Sequence, residues 1–414
     1  MKAVVIGLGY VGLPLAHAAT MSGLKVTGIE INKNVVACLN SGISHIGDLT
    51  DNEIAAAVSK GFKATTDPTC IGEADVVIIC VPTPLDLDGH PDLSAVMSAA
   101  TIIQENLSAS TTVILESTTY PGTTEEILLP MFELGGFKCG KDFYLAFSPE
   151  RIDPGNSQFG ITNTPKVIGG VTPRCSEMAG KFYEKFIERI VIAKGTREAE
   201  AAKLLENTYR HINIALVNEL AQLSHQLGID IWNVIECAST KPFGFQPFWP
   251  SAGVGGHCIP IDPNYFAFKV RDELNKPFRF IELAEEINQG MPAYVASRIS
   301  KLIPLQSARV CLLGVTYKQN VSDQRESPAI PLAKILRKMG ARISFFDPYI
   351  ESWILDGVAV EAIDNLKSAL TQNDVVVILQ SHQLFVEAQE DFNGDGALVF
   401  DTTGKFAGDK VTRL

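Results

Sequence analysis

Apolar and polar positions along the chain fall into two α/β patterns separated by a helical stretch. Short apolar runs at Lys2–Ile6, Lys25–Ile29, 73–81, 111–116 and Tyr144–Phe147 are bounded by turn signals and predict buried strands. An Ala-rich helix separates the first two, which makes a βαβ unit. Strands alternating with helices predict a parallel, doubly wound sheet. From about Gly195 the character changes. Thr196–Leu227 contains no Pro or Gly and predicts one long helix, stopped near Gly228. It is too long for a simple crossover, so it is expected to join two domains and to form a dimer seam. Residues 241–263, rich in Pro, Gly and aromatics, predict a loop of a size that is often functional. Helix resumes at 280–302. A second α/β pattern follows: strand 309–314, helix 328–339, strand Arg342–Phe346, strand 373–379 (NDVVVIL, echoing EADVVII at 73–79) and strand 397–400. The expected fold is α/β: two Rossmann-like doubly wound domains, 1–195 and 304–414, joined by a long central helix and a helical dimerisation segment, 196–303.

Composition narrows this picture. At 414 residues, with 46% hydrophobic and 20% charged residues, the chain is globular and too long for one ordinary domain. A net charge of -12 argues against a general nucleic-acid or membrane-surface binder, while leaving room for a local basic pocket. Eight cysteines are scattered without a CxxC pair, so no metal site and no redox dithiol is expected, and a reducing cytoplasm fits best. Lys2, the apolar run and Ala16–Ala19 imitate a signal peptide, but Gly7, Gly9, Gly12 and Pro14 interrupt it. No apolar stretch is long enough to span a bilayer.

Gly7-Leu8-Gly9-Tyr10-Val11-Gly12 follows a strand and opens a helix, and Glu30 ends the second strand 18 positions after Gly12. Glycines there permit a tight turn and close approach of a pyrophosphate, which the helix N-terminus stabilises. Glu30 can accept hydrogen bonds from ribose hydroxyls and would repel a 2′-phosphate, favouring NAD over NADP, although Lys33 lies nearby. The bland alternative is a tight turn without a ligand.

The segment Gly253-Val254-Gly255-Gly256-His257-Cys258-Ile259-Pro260-Ile261-Asp262-Pro263 carries the candidate chemistry. Gly255 and Gly256 would let a ligand approach the backbone. Cys258 lies in a loop, beside His257, which could lower its pKa. Taken alone, Cys258 is either a nucleophile or a packing thiol. On the long helix, Lys203, Asn207, Arg210 and His211 fall on one face. That face is either solvated or turned to a cleft. Asn207 and Asn213 sit among apolar neighbours in mid-helix, where Asn is a poor helix former, and this favours a cleft. Lys318 and Arg325 follow a strand end and are candidates for phosphate contact with substrate and cofactor respectively. Gly314 stands alone, so the second domain lacks a complete dinucleotide fingerprint.

GLGYVG, VPTP, ESTTYPGTT, SPERIDPGN, KLLENTYR, GVGGHCIPIDP and TYKQNVSDQRESP occur in this order over nearly the whole chain. Together they resemble the UDP-glucose/GDP-mannose dehydrogenase family. The spellings SPERIDPGN, ENTYR and GGHCIPIDP are most similar to its UDP-N-acetylhexosamine branch. The resemblance implies an NAD-dependent four-electron oxidation of a sugar's primary alcohol to a carboxylate through a Cys258 thioester. It assigns Lys203 and Asn207 to the developing oxyanion, Asp262 with Thr118 to water, and Glu150 to a place near the nicotinamide and that water. It also implies cofactor contacts from Gly7, Gly9, Tyr10, Val11, Gly12, Glu30, Pro82, Thr83, Thr118 and Arg325. Substrate contacts would come from Arg151, Lys203, Asn207, Arg210, Phe245, Gly255, Gly256 and Lys318, with the UDP-sugar between the two α/β domains and the aromatics of 243–250 against uracil and ribose. A cytoplasmic homodimer serving polysaccharide biosynthesis is expected, with neither nucleic acid nor membrane as partner. UDP-N-acetylglucosamine is the first expected substrate, then UDP-N-acetylgalactosamine or UDP-N-acetylmannosamine, then UDP-glucose. A two-electron hydroxyacid-type dehydrogenase and a non-catalytic nucleotide-sugar-binding protein are the rivals.

Overall fold

A computed structural model describes all positions of the chain except 87, 153–155, 157 and 395. The chain divides into two compact units. The first comprises Met1–Glu206 with Asn264–Lys276, the second Asn207–Pro263 with Pro277–Leu414.

The first unit is built on eight strands: β1 (Lys2–Ile6), β2 (Lys25–Ile29), β3 (Lys63–Thr65), β4 (Val76–Ile79), β5 (Thr112–Leu115), β6 (Tyr144–Phe147), β7 (Lys166–Gly170) and β8 (Ile190–Ile192). They lie in the order β3-β2-β1-β4-β5-β6-β7-β8, parallel except at β6–β7. The first six strands thus have the Rossmann order, and the order reverses beside β1, where ligands bind in such sheets. β1, β4 and β5 are apolar runs because both faces of the sheet are covered. Val5 and Ile78 enter one core, Val4 and Val77 the other. Burying each such side chain contributes about 1.5–3 kcal/mol. The returning segment 264–276 packs on this unit. Tyr265 Oη donates to Thr83 O at 2.8 Å, Lys269 Nζ donates to Glu126 at 2.7 Å, and the Phe268 ring lies 5.7 Å from that of Tyr120.

The second unit carries β9 (Arg309–Leu313), β10 (Arg342–Phe346), β11 (Ile354–Leu355), β12 (Val358–Ala359), β13 (Glu361–Ala362), β14 (Val375–Ile378), β15 (Leu398–Asp401) and β16 (Val411–Arg413). Its main sheet runs β13-β10-β9-β14-β15-β16, all parallel, so its strand order repeats that of the first six strands of the first unit. β11 and β12 form a separate hairpin. Asp356 and Gly357 turn it with φ of 52° and 78°, the left-handed pair that a two-residue hairpin requires. One sheet face packs against the helices Ile231–Ser239, Arg279–Ser300 and Ala329–Lys338 through Trp232, Ile235, Val295, Leu332 and Leu336.

The long helix runs over Thr196–Leu227, as expected. The reading of 241–263 as loop holds up to the turn after Cys258. There a helix that the sequence reading missed begins, Asp262–Leu274, with Pro263 in its first turn where a missing N–H costs nothing. No disulfide occurs among the described residues. No described helix is long and apolar enough to cross a membrane.

Candidate active site

The glycine turn of the first unit divides its labour in a way that fits a dinucleotide. Gly7 has φ +90°, and a Cβ there would lie 2.6 Å from Cys80 O. A Cβ on Gly12 would lie 1.9 Å from Gly7 O. These two glycines are required by the turn itself. A Cβ on Gly9 would meet nothing within 4 Å, so the chain's own packing does not require a glycine there and the backbone stays open to close approach. Val11 precedes the helix Gly12–Met21, whose N-terminal N–H groups are suited to phosphate charge. Glu30 follows β2, with Oε2 accepting Leu8 N at 3.2 Å and Oε1 accepting Asn32 N at 2.9 Å. It is half-buried and retains lone pairs for ribose hydroxyls. Pro82 and Thr83 follow β4, and Thr118 follows β5, at the same strand ends as the glycine turn. NAD would therefore be held by Gly9, Glu30 and the loops after β4 and β5.

A second group of the first unit centres on Glu150. Lys203 Nζ donates to Glu150 O at 2.7 Å and lies 3.6 Å from Glu150 Oε2, and Glu150 Oε1 accepts Ile152 N. Burial pushes the Glu150 carboxyl up, while Lys203 and then Lys166 hold it down. Arg151 donates to Pro165 O at 2.8 Å and pairs with Glu206 at 2.8 Å. Asp153, Pro154 and Gly155 of the motif SPERIDPGN lie outside the described residues.

In the second unit, Asn207 Nδ2 donates to Asp262 Oδ2 at 2.5 Å, both side chains being buried. Asp262 N donates to Cys258 O at 2.8 Å and Ile261 N to the same oxygen at 3.2 Å. Cys258 is exposed on this turn, immediately before the helix Asp262–Leu274. Burial, with Arg325 beside it, pushes His257 below the usual imidazole range. His257 is therefore neutral near pH 7 and supplies no standing charge to Cys258. The adjacent glycines have a reason the sequence did not reveal. A Cβ on Gly255 would lie 2.6 Å from Glu326 O, and one on Gly256 would lie 2.9 Å from the Tyr317 ring. Both are needed for close packing of the chain on itself.

The polar face of the long helix resolves residue by residue. Lys203, Asn207 and His211 are buried, whereas Arg210 is exposed. His211 Nε2 lies 3.2 Å from Glu285 Oε2, inside the second unit. Asn213 donates to Tyr209 O within the helix at 2.7 Å. Phe243 and Phe245 are exposed, while Trp249 stacks on Trp232 at 5.9 Å. Lys318 is half-buried, with its carbonyl accepting the Thr316 hydroxyl at 2.9 Å. Arg325 is bound by Asp323 at 2.6 Å.

The first unit also buries charged residues outside the expected set. Lys166 pairs with Glu116 at 3.0 Å, and Tyr183 Oη donates to Glu116, all three being buried. Glu200 accepts from Gly122 N at 2.6 Å and Thr124 N at 2.9 Å, and burial pushes its carboxyl up to about 7. Buried charges carry no periodicity signal, which is why pattern reading passed over them.

Family models match the whole arrangement. The NAD-binding domain of the UDP-glucose/GDP-mannose dehydrogenase family matches residues 1–187, its central domain 197–290 and its UDP-binding domain 311–407. A UDP-N-acetyl-D-mannosamine dehydrogenase of Pyrococcus horikoshii is 35% identical, over 93% of this chain and 90% of its own. A UDP-N-acetyl-D-glucosamine 6-dehydrogenase of Pseudomonas aeruginosa is 37% identical over 85% and 84%. A solved structure of a UDP-D-ManNAc dehydrogenase from Pyrococcus horikoshii superposes with a TM-score of 0.88 at 33% identity, covering 99% of each chain. With an open dinucleotide turn, a cysteine loop and family matches along its length, the chain belongs to the UDP-glucose/GDP-mannose dehydrogenase family and is an NAD-dependent nucleotide-sugar dehydrogenase.

Proposed function

We propose that the chain oxidises the C6 primary alcohol of a UDP-N-acetylhexosamine to the carboxylate, in two oxidations separated by covalent capture on Cys258. The observation that carries this reading is the Asn207–Asp262 hydrogen bond of 2.5 Å in the turn that presents Cys258. It brings a hydrogen-bond donor, a carboxylate and a thiol into one local structure. NAD supplies the hydride acceptor, once for each oxidation. The first oxidation turns the alcohol into an aldehyde, which has no hydride to yield until a nucleophile adds. The Cys258 thiolate adds to the aldehyde carbon, and the carbonyl oxygen takes up a proton to give a thiohemiacetal. Loss of that proton and a hydride leaves a thioester on Sγ. Water cleaves it to the carboxylate and returns the thiol. Per sugar, one water is consumed, two hydrides are delivered and three protons are released. Lys203 and Asn207 stabilise charge developing on the oxygen, and Glu150, Thr118 and Asp262 are assigned to water. Arg151, Arg210, Phe245 and Lys318 are assigned to the nucleotide sugar and Arg325 to the cofactor.

UDP-N-acetylglucosamine is the first substrate to test. UDP-N-acetylmannosamine, its C2 epimer, is the second reading, favoured by the mannosamine relatives. The test counts NADH per uronate over a panel of UDP-sugars. Two per product with an N-acetylhexosamine supports the reading, and one per product overturns it. We also infer a cytoplasmic homodimer. Leu216, Leu220, Leu223 and Leu227 form an exposed stripe on the long helix, for which a second copy is the simplest cover. Leu223→Glu should yield monomers in light scattering.

A further inference from the structure

Glu116 and Lys166 come from two different strand ends, after β5 and at the start of β7, and meet where the sheet turns antiparallel. Their side chains are 1% and 8% exposed and 3.0 Å apart. Tyr183, from the helix Pro173–Tyr183, donates to Glu116, and Lys166 Nζ stands 5.0 Å from the centre of its ring. The pair has no surface role. A buried pair is also poor value as a stabiliser, because desolving both ions offsets most of their attraction. Its position is more informative. Glu116, Lys166 and Glu150 line one small cavity together with Val11 of the glycine turn and Arg151. Glu150 thus faces Lys203 from the long helix, Lys166 from β7 and Glu116 from the end of β5, with the Cys80 thiol and the Arg151 guanidinium near by.

We propose that Lys166, clamped by Glu116 and Tyr183 in the cavity that Glu150 also lines, is a positioning residue whose charge acts on Glu150 in the hydrolytic half of the reaction, an inference that rests on the four-electron reading above. Lys203 alone cannot fill this role. Its ammonium is committed to the Glu150 carbonyl and is itself assigned to the oxyanion, so its charge is shared as the reaction proceeds. Lys166 is held at 3.0 Å by Glu116, which has no assigned part in the reaction. Glu116 tempers it, since its carboxylate acts on Glu150 with the opposite sign and offsets part of the effect of Lys166.

The two partners act on Glu150 with opposite sign, and this supplies the test. Removing the Lys166 charge in Lys166→Met disfavours the ionised Glu150. Removing the Glu116 charge in Glu116→Gln favours it. The measurement is made on the full-length, NAD-loaded protein in two ways: the acid limb of kcat for uronate formation, and the infrared carbonyl band of protonated Glu150, assigned by its disappearance in Glu150→Gln. Lys166→Met is expected to move both midpoints to higher pH and Glu116→Gln to lower pH, each by about one pH unit. The double variant should return towards wild type, and Lys166→Arg should restore it. Displacement of both midpoints in the same direction, or loss of activity with unmoved midpoints, overturns the proposal, because a merely structural pair would behave so. If Lys166→Met does not fold, the downward shift in Glu116→Gln decides alone. The infrared titration needs no turnover. A wild-type yield of one NADH per product would therefore defeat the function while the role of Lys166 was still decided.

Discussion

The turn after β1 and the turn after β9 occupy equivalent places in two sheets of the same strand order. In the first, the carboxylate that ends the second strand, Glu30, ties down Leu8 N, two residues past the end of β1, and stays half-buried. In the second, Asp347 ends β10 and ties down Val315 N at 2.8 Å, two residues past the end of β9. Its side chain, however, is fully enclosed, 3.2 Å from His382 Nε2, while His382 Nδ1 accepts Asn320 N. The glycine turns diverge likewise. Gly9 opens onto space, but a Cβ on Gly314 would lie 2.7 Å from Gln380 Cβ and 3.1 Å from His382 Nε2. One sheet leaves its crevice to a ligand, whereas the other fills it with its own histidine. Strand order provides a crevice, and the side chains at the strand ends decide whether a dinucleotide can use it.

The comparison breaks most readily at His382. His382→Ala removes a packed ring and one partner of the buried Asp347 carboxyl, which keeps its bonds from Val315 N and Tyr349 N, and should destabilise the protein by about 2–4 kcal/mol in denaturant unfolding, with little change in NAD affinity. An equal loss of NAD affinity would mean that the second crevice serves the cofactor after all. Next in size is the pH response of the first unit. Glu200 is raised from 4.5 to about 7 by burial. The stability it contributes is full below pH 4.5 and is lost as pH rises through 7, about 3 kcal/mol across that window. Stability measured from pH 5 to 8 should fall in wild type, and Glu200→Gln should flatten the profile. An unchanged slope would show Glu200 to be ionised throughout.

Glu30→Ala should weaken NAD binding about 10–100-fold by calorimetry, the worth of hydrogen bonds to a charged group, whereas Asp347→Asn should leave NAD binding unaltered. The glycines should separate the two turns, with the smallest effect at Gly9. Gly314→Ala should cost about 1–3 kcal/mol of stability without touching NAD. Gly9→Ala should leave the melting curve in place and weaken NAD about tenfold. A melting curve that fell with Gly9→Ala would remove the reason for assigning that opening to a ligand.

Much of this contrast was legible in the sequence. Apolar runs located β1, β2, β6 and β10 to the residue, because strands buried on both faces need no alternation. The absence of Gly and Pro bounded the long helix equally well. Gly314 stands alone after β9, and the space beside it is taken by Gln380 and His382. What escaped were features decided by contacts distant in sequence. β8 is a three-residue edge strand, and β7 beside it opens on a lysine and ends in two glycines, so neither reads as an apolar run. The helix at Asp262 hides behind a Pro-rich loop, and Gly255 and Gly256 look like ligand glycines until Tyr317 and Glu326 pack against them. Glu116, Lys166 and Glu200 are charges in a core, and their partners lie 50, 67 or 76 positions away.

The return of residues 264–276 to the first unit has a consequence for synthesis. When Glu206 leaves the ribosome, the sheet of the first unit is complete in sequence. Thr83 O, Glu126 and the Tyr120 ring still lack the Tyr265 hydroxyl, the Lys269 ammonium and the Phe268 ring. At about 5–20 residues per second, those partners emerge several seconds later. During that delay the nascent chain presents an unfinished face beside its cofactor turn. That face is closed only after the intervening residues 207–263 of the second unit have been made.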